Sequence, residues 1–367
     1  MKKIVIGTRG SNLAMIQANL VKDAIELHSD YEVLIQKIKT AGDLDLKTPI
    51  RKIQDKGFYT KEIEKSLFDG DIDFAVHSMK DLPTKLQDQF TIGAVLERQS
   101  PMDILVVRKD RNNQKIESFS KIGVGSIRRR IQIKNIVPNS KLFDIRGNIE
   151  TRLKNIESQN LDGIIMAKAA YSRLRREEKY YEFSINEMIP APCQGIIAVE
   201  VLKRRTEFSD ILKSINHERT LKAAMMEQKI SNMLEGGCSS PLGCLVELNN
   251  QVVSLHIFIS DVNGNNQINE NYTFDISQHN ETTVQEFNYR DNTINPSLLG
   301  ILETTETDDG LHMDHVFSYE NKFDSEAELL KAYISYSYEV DDVNEIGTMD
   351  SDYGANFSGN STKASED

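Results

Sequence analysis

Two short stretches of this chain carry the residue types best suited to chemistry. Cys238 stands in LEGGCSSPLG (234–243), where two glycines precede it and leave its thiol unshielded on that side. Such a loop gives access to the thiol and permits unusual backbone angles. The second stretch is HSMKD (77–81), which follows the alternating apolar residues of a strand-like segment. Ligands of open parallel sheets bind at the carboxyl ends of strands, so this position predicts a site, although Lys80 and Asp81 could also be a solvated surface pair.

Arginines recur at the start of three predicted helices. In KIVIGTRGSNLAM, KIGVGSIRRR and FDIRGNIETRL, an apolar strand is followed by a glycine turn and then by a helical segment. Ser11 is a suitable N-cap for the first helix, whose Leu13, Ile16, Leu20, Ala24 and Leu27 fall on one face. Free backbone N–H groups and the helix dipole favour an anion at such a start. One arginine there is usually a surface residue, whereas three such starts predict a polyanionic ligand.

The composition is that of an ordinary globular protein with more than one domain. The chain has 367 residues, of which 39% are hydrophobic and 27% charged, so two or three domains are expected. It contains no run of eighteen apolar residues, and MKKIVIG passes directly into a strand without the pattern of a signal peptide. We therefore expect a cytoplasmic protein without membrane or nucleic-acid partners. The three cysteines show no CxxC spacing, which argues against a disulfide framework and against a metal site.

The negative charge of the chain is concentrated near its C-terminus. Residues 301–367 contain 17 acidic residues against three lysines, a net charge of −14, which leaves +2 for residues 1–300. The last part, MDSDYGANFSGNSTKASED, is rich in Gly, Ser, Asn and Asp, a composition typical of disorder. Within 324–334, four apolar residues have helical spacing and predict a helix.

Taken together in their order, the motifs identify a family. GTRGS, HSMKDLP, GSIRRR, IRGNIETRL, APCQG and LEGGCSSPLG closely resemble the porphobilinogen deaminase (hydroxymethylbilane synthase) family over about residues 3–260. GTRGS alone would be weak evidence, whereas HSMKDLP together with LEGGC is specific.

The resemblance implies an α/β architecture. Family members have two doubly wound domains like those of periplasmic binding proteins, plus a small α/β third domain that carries the cysteine loop. On this chain, the resemblance and the tail composition predict domain 1 at 1–96 and 195–215, domain 2 at 97–194, domain 3 at 216–345, and a disordered acidic tail at 346–367.

The resemblance also implies a transferase reaction. The family joins four porphobilinogen units head to tail with loss of ammonia, and the product is the linear tetrapyrrole hydroxymethylbilane. Cys238 matches the cysteine that carries a dipyrromethane cofactor through a thioether bond, and it acts as an anchor. Asp81 matches the catalytic aspartate, which stabilises cationic pyrrole nitrogens and passes protons. The expected partner is the small-molecule substrate, and the protein is expected to be a monomer.

Each pyrrole ring carries an acetate and a propionate, which explains the arginine-bearing helix starts. A guanidinium group can bind a carboxylate through two hydrogen bonds. The resemblance assigns cofactor or substrate binding to Arg9, Ser11, Gln17, Lys52, Lys56, Ser78, Lys80, Ser126, Arg128, Arg129, Arg146, Arg152, Arg173 and Gln194.

Several positions depart from the family pattern. Val124 and Gly125 stand where a threonine and a small hydroxyl residue are usual, a change expected to remove hydroxyl donors from the cofactor cleft. Cys193 in APCQG stands where the family mostly has glycine. Arginine is common at three other positions, which are here Ala41, Gln228 and Met233. The principal chemical residues are present, so an active enzyme is expected.

Two other functions fit parts of the sequence. A binding protein of the same fold would hold a small anion or a tetrapyrrole without turnover. Asp81 argues against it, because a binder of carboxylates gains nothing from a carboxylate in its own cleft. A thiol hydrolase would use Cys238 with His217, but no third residue that would orient the histidine is identifiable.

Overall fold

The computed structural model describes residues 2–44, 60–234, 241–249, 252–260, 263–264, 267–275, 297–307, 310–322 and 329–340. The chain divides into two compact units: Met1–Asn249 with Ser254–Gln267, and Asn250–Val253 with Ile268–Asp367. The site lies in the first unit.

The first unit is built from helices and short strands that alternate along the chain. Its helices are α1 (Asn12–His28), α2 (Ala41–Leu44), α3 (Lys61–Asp69), α4 (Ile127–Ile136), α5 (Ile149–Ser158), α6 (Lys168–Arg173), α7 (Ser209–Ile215) and α8 (Glu218–Met233). The strands of its two main sheets are β1 (Lys3–Arg9), β2 (Glu32–Ile38), β3 (Phe74–Ser78), β4 (Phe90–Val95), β5 (Asp103–Val107), β6 (Lys121–Val124), β7 (Lys141–Asp144), β8 (Gly163–Ala167), β9 (Tyr180–Glu182) and β10 (Ile197–Leu202).

The two main sheets follow the same plan. The first has the order β2-β1-β3-β10-β4, in which β1 is parallel to β2 and β3, and β10 is antiparallel to both of its neighbours. The second has the order β7-β6-β8-β5-β9, with β6 parallel to β7 and β8, and β5 antiparallel to β8 and β9. These are two doubly wound α/β sheets, as expected. Their strands fall in the segments predicted for domains 1 and 2, whose boundaries stay a prediction.

Apolar side chains pack in clusters on the faces of each sheet. Phe74 and Val199 of the first sheet pack with Val21 of α1 and Leu212 of α7. In the second sheet, one face is covered by a cluster around Ile122 and the other by a cluster that includes Ile104 and Leu153. Helical segments follow directly after five strands, which are β1, β3, β6, β7 and β8. The polar ends of these strands therefore lie together at defined edges of the sheets.

Helix α1 forms where the sequence predicts it, but a different face is buried. Ser11 is its N-cap, and the Ser11 Oγ accepts a hydrogen bond from the backbone N–H of Ala14 at 3.2 Å. The buried side chains are Ala14, Gln17, Ala18, Val21 and Ile25. In contrast, Leu20 is 37% and Leu27 79% exposed, so the predicted leucine face was wrong.

A third, smaller sheet accompanies α8. Strands β11 (Leu242–Asn249) and β12 (Val252–Ser260) are neighbours in it, and α8 packs against β11. Phe258 is 1% exposed and joins Ile131 of α4 and Ile189 in one cluster. This is the small α/β element expected to carry the cysteine loop.

Among the described residues, four further strand segments follow along the chain, most of whose residues belong to the second unit. They are β13 (Gln267–Asp275), β14 (Ser297–Thr307), β15 (Gly310–Lys322) and β16 (Leu329–Val340). The helix predicted within 324–334 was wrong, because Leu329–Val340 forms a strand paired antiparallel with β15. Four apolar residues at helical spacing form too short a pattern to determine a helix, and here the backbone pairs continuously with a neighbouring strand instead. The tail predicted to be disordered, 346–367, lies outside the described residues. Among the described helices, none is long and apolar enough to cross a membrane.

Candidate active site

Asp81 is presented by a rigid turn at the end of β3. The strand ends at Ser78, and Met79–Asp81 form one turn of 3-10 helix. The Met79 N–H donates to the carbonyl of Ile196 at 3.0 Å, and the Met79 side chain is 1% exposed. The next residue, Leu82, is 4% exposed, whereas Asp81 itself is exposed. Buried neighbours therefore fix the backbone on both sides of an accessible carboxylate.

Lys80 connects this turn to the segment that precedes β10. Its Nζ donates to Oε1 of the fully buried Gln194 at 3.2 Å. Burial lowers the pKa of Lys80 to about 8, the nearby Arg129 acts in the same direction, and Asp81 opposes both. The lowered pKa indicates that nearby anions compensate the charge of the Lys80 ammonium group only in part.

Gln194 leads onward to a buried cluster of charges in the second sheet. Its Nε2 donates to Asp103 Oδ1 at 2.9 Å, and its Oε1 accepts from Arg129 Nη2 at 3.2 Å. Arg129 also pairs with Asp103 Oδ1, at 2.8 Å from Nη2, and Arg128 Nη2 pairs with Oδ2 at 2.8 Å. Burial by itself would raise the pKa of Asp103, but the two guanidinium groups hold it well below its usual range. Asp103 is therefore a carboxylate ion between two arginines.

A second polar pair lies beside the same strand end. Gln17 of α1 is 3% exposed, and its Nε2 donates to Ser78 Oγ at 2.7 Å. Ser11 is occupied as the N-cap of α1, and Arg9 is the last residue of β1. The structure thus brings Arg9, Ser11, Gln17 and Ser78 to the adjoining ends of β1 and β3.

The starts of α4 and α5 differ in how they are capped. Ser126 is the N-cap of α4 but makes no side-chain capping hydrogen bond. At α5, the cap is Asn148, which accepts from the Thr151 N–H at 2.8 Å. Arg152 Nε donates to the carbonyl of Gly147 at 2.9 Å, which orients its guanidinium across the turn, and Arg146 is half-buried just before it.

Arg173, the last residue of α6, is held beside the segment before β10. Its Nη2 donates to the carbonyl of Gly195 at 2.6 Å, and its Nε is buried without a hydrogen-bond partner among the described residues. Burial alone lowers the pKa of Arg173 to about 10. A half-buried guanidinium group with an unsatisfied N–H is suited to bind an anionic ligand by donating a hydrogen bond to it.

The hydrogen-bond donors of the site fit a ligand that carries several carboxylates, as the dipyrromethane cofactor does. Cationic side chains recur at the ends of β1, β3, β6, β7 and α6. A carboxylate of such a ligand would accept the hydrogen bond that the Nε of Arg173 does not make to any described residue. Cys238, Lys52 and Lys56 lie outside the described residues. The nearest described residue before the cysteine is Leu234, which follows α8. Among the described residues, no cluster of His, Cys, Asp and Glu suits a metal ion.

Two of the departures from the family pattern have clear structural surroundings. Cys193 has φ of 59°, in the left-handed region that favours glycine, and it is 2% exposed. Val124 is 1% exposed and packs in an apolar cluster with Ile122 and Ile133. The expected loss of a hydroxyl donor from the cleft therefore does not apply to Val124, since its side chain belongs to the core.

Among the described residues, three carboxylates that are 0% exposed were missed by sequence reasoning. Asp103 pairs with the arginines of α4, Glu227 of α8 pairs with Arg98, and Glu200 pairs with His77 Nε2 at 3.0 Å. The available signal was a single acidic residue inside an apolar strand, as in DILVV and IAVEVL. Acidic residues are almost never fully buried unless they are paired.

The chain matches two family models, and curated relatives match over most of their length. "Porphobilinogen deaminase, dipyromethane cofactor binding domain" covers residues 4–210, and "Porphobilinogen deaminase, C-terminal domain" covers residues 221–287. Porphobilinogen deaminase of Syntrophomonas wolfei is 41% identical over 72% of this chain and 87% of its own. The protein of the same name from Alkaliphilus metalliredigens is 34% identical over 84% of this chain and 97% of its own. Among solved structures, the extracellular-binding protein of a probable amino-acid ABC transporter from Bacillus subtilis has a TM-score of 0.36 at 11% identity, over 63% of this chain and 97% of its own.

Proposed function

The chain belongs to the porphobilinogen deaminase family, and we propose that Asp81, Cys238 and the cationic strand ends carry out its reaction. It is a transferase that joins four porphobilinogen units head to tail, releases ammonia from each, and yields hydroxymethylbilane. The family match supports this activity and gives no support to a binding protein without turnover. The observation that carries the site assignment is the exposed Asp81 carboxylate on a fixed turn, with cationic side chains nearby.

Cys238 is the proposed anchor of the dipyrromethane cofactor. The match to the cofactor-binding domain supports the presence of this group. When bound, it supplies the free pyrrole carbon to which the first substrate unit is joined. Attachment to the chain makes every later addition intramolecular, which removes the entropy loss of bringing the partners together. The proposed thioether needs one alkylation of one thiol, and the other two cysteines are buried.

Asp81 is the proposed catalytic carboxylate. Loss of ammonia from the aminomethyl group of porphobilinogen leaves a positive charge that the pyrrole nitrogen shares. A carboxylate at hydrogen-bond distance from that nitrogen stabilises the charge as it develops. After the new carbon–carbon bond forms, a proton must leave the α-carbon of the ring that made the attack, and the same carboxylate can accept and pass it on. Its exposure gives the substrate access, and its fixed backbone limits reorganisation.

The remaining residues of the site are proposed to hold acetate and propionate groups. Lys80, Arg129 and Arg173 have the surroundings that favour this role, because their positive charges are half-buried or buried beside the turn that carries Asp81. The other proposed binding residues are Arg9, Ser11, Gln17, Lys52, Lys56, Ser78, Ser126, Arg128, Arg146, Arg152 and Gln194. We further propose that the protein acts as a monomer in the cytoplasm, without nucleic-acid partners.

Two substitutions separate the role of Asp81 from that of Cys238. Cys238→Ser is expected to abolish the extra mass of two pyrrole units on the purified chain and to abolish turnover. Asp81→Asn keeps the size and hydrogen bonding of the side chain but removes its charge. It is expected to carry the extra mass yet to lose roughly 10²-fold or more in turnover.

Asp88→Asn is the matched control, because Asp88 is exposed on the same domain and is expected to leave turnover unchanged. Intact-mass measurement and initial rates of hydroxymethylbilane formation provide the two readouts. An Asp81→Asn variant that retains more than about a third of wild-type turnover, a barrier change below about 1 kcal/mol, would show that Asp81 is not the catalytic carboxylate. Active wild-type protein with an unmodified Cys238 would overturn the anchoring role.

A further inference from the structure

Asp103 is the centre of a hydrogen-bond network that no motif indicated. It begins β5, is fully buried, and receives four hydrogen bonds or ion-pair contacts at its two oxygens. These come from Arg128 Nη2 (2.8 Å), Arg129 Nε (3.1 Å), Arg129 Nη2 (2.8 Å) and Gln194 Nε2 (2.9 Å). A carboxylate whose two oxygens both accept such hydrogen bonds is restricted to one orientation, and it also restricts the positions of its donors.

The network extends from the arginines to the turn that presents Asp81. Gln194 binds Asp103 through its amide nitrogen and both Arg129 and Lys80 through its amide oxygen. Lys80 follows β3 of the first sheet, and Asp103 begins β5 of the second. The two arginines lie in α4, and Gln194 lies in the segment that leads from β9 of the second sheet to β10 of the first. One buried carboxylate therefore determines where three cations of the site can lie.

The charges of the linked side chains do not cancel. Lys80, Arg128 and Arg129 are cationic and Asp103 is anionic, so the network has a net charge of +2 when Lys80 is protonated. Arg128 and Arg129 are only 2% and 6% exposed, and two adjacent buried guanidinium groups would repel each other without an anion between them. Asp103 offsets one charge and leaves two, the number that the acetate and propionate of one pyrrole ring neutralise.

Arg128 is itself occupied, since its Nη1 donates to the carbonyl of Ile189 at 2.6 Å and its Nη2 to Asp103. We propose that Asp103 is a positioning residue that orients Arg129 beside Lys80, so that these two cations accept the two carboxylates of a single pyrrole ring. This inference rests on the proposed function. Arg129 supports it, since Asp103 and Gln194 occupy Nε and Nη2 and leave Nη1 without an acceptor among the described residues. A preorganised donor binds an anion without first paying the free energy of its own reorganisation. Asp103 is 0% exposed and both of its oxygens are occupied by protein donors, so its proposed effect on the ligand is exerted through Arg129.

The test compares Asp103→Asn with a matched buried carboxylate of the same sheet. Asp162 is 3% exposed, accepts from the Ser120 and Lys121 N–H groups, and pairs with Arg111. Asp162→Asn removes an equivalent charge from a site without proposed ligand contacts. Both variants are expected to lose stability, but only Asp103→Asn is expected to raise the KM for porphobilinogen tenfold or more and to lower the fraction of chains that carry the cofactor mass. The kcat of its cofactor-bearing fraction is expected to fall less than threefold.

Asp103→Glu keeps the charge and provides a second variant should the asparagine variant fail to fold. Its longer side chain displaces the carboxylate, so a KM increase of at least threefold is expected in a folded protein. If either folded variant has a KM within twofold of wild type and a full cofactor mass, the positioning role is overturned. A KM increase of the same size in Asp162→Asn would also overturn it, because the effect would then be structural. Failure of the proposed function is distinguishable, since wild-type protein would then show neither added mass nor turnover.

Discussion

Arg98 and Glu227 form a two-point ion pair between the segment that connects the two main sheets and helix α8. Nη1 lies 2.6 Å from Oε1 and Nη2 lies 3.1 Å from Oε2. Glu227 also accepts from the N–H groups of Cys193 and Val246, at 2.5 and 2.8 Å. One buried carboxylate thus ties together the connecting segment, the segment before β10, and β11. This pair therefore fixes α8, the helix that precedes the proposed anchoring residue in the chain.

We predict that Glu227→Gln lowers the free energy of unfolding by about 3 kcal/mol, because it leaves a largely buried guanidinium without its counter-charge. The side chains of Arg98 and Glu227 are 12% and 0% exposed. Urea unfolding measures the change. The matched control is Asp69→Asn, which breaks the exposed Lys65–Asp69 pair and is expected to leave the free energy of unfolding nearly unchanged. Equal effects in the two variants would contradict the prediction.

The affinity for porphobilinogen is predicted to fall as the pH rises through about 8. Burial lowers the pKa of Lys80 to about 8, so the ammonium charge beside Gln194 is lost above that pH in the ligand-free protein. The KM is therefore expected to increase between pH 8 and 9.5. Lys80→Arg retains its charge over this range and is expected to show a flatter profile. Identical profiles for the two proteins would exclude Lys80 as the titrating group.

The same shift predicts the direction of a stability effect. The unfolded chain binds the Lys80 proton up to its ordinary pKa of about 10.4, whereas the folded chain releases it near 8. The unfolded state therefore binds more protons between these values, and the contribution of this group to stability increases as the pH rises across that window. Chemical denaturation of wild type and Lys80→Arg at pH 8 and 10 measures the difference. A contribution that decreases with pH would contradict the assignment.

Thiol counting is predicted to report cofactor attachment directly. Cys193 and Cys244 are buried, and burial raises the pKa of both thiols, so neither is expected to react with a disulfide reagent in the native protein. After denaturation, the cofactor-bearing chain is expected to show two reactive thiols of its three cysteines. Denatured Cys238→Ser is also expected to show two. Three reactive thiols in denatured active wild-type protein would exclude a thioether at Cys238.

Cys193 is predicted to tolerate glycine and to reject a branched side chain. Its φ of 59° is strained for residues that have a Cβ atom and more so for β-branched ones. Cys193→Gly relieves this strain, which favours the folded state. It also removes a buried thiol and increases the entropy of the unfolded chain, both of which oppose folding. The free energy of unfolding is therefore expected to stay within about 1 kcal/mol of wild type. Cys193→Val is expected to lose more than about 2 kcal/mol. Thermal unfolding of both variants provides the comparison, and a stable valine variant would contradict the role of the backbone angle.

The sequence by itself determined the family, the reaction class and the elements that position Asp81. These features are local: the strand, the turn and the polar residues of HSMKDLP are contiguous, and Ser11 signals the start of α1 without reference to any distant residue. The order of strands and helices likewise follows from short-range apolar patterns. Local propensity and motif chemistry therefore sufficed for them.

Only the tertiary structure decided which charges pair and which faces are buried. Asp103 meets Arg128 and Arg129 across 25 and 26 positions of the chain, and Arg98 meets Glu227 across 129. Leu20 and Leu27 of α1, which looked like part of a core face, are exposed, since Ala18, Val21 and Ile25 pack in the core cluster of the first sheet instead. A buried charge is stable only with a partner, and long-range packing chooses that partner, so no periodicity within one segment reveals it.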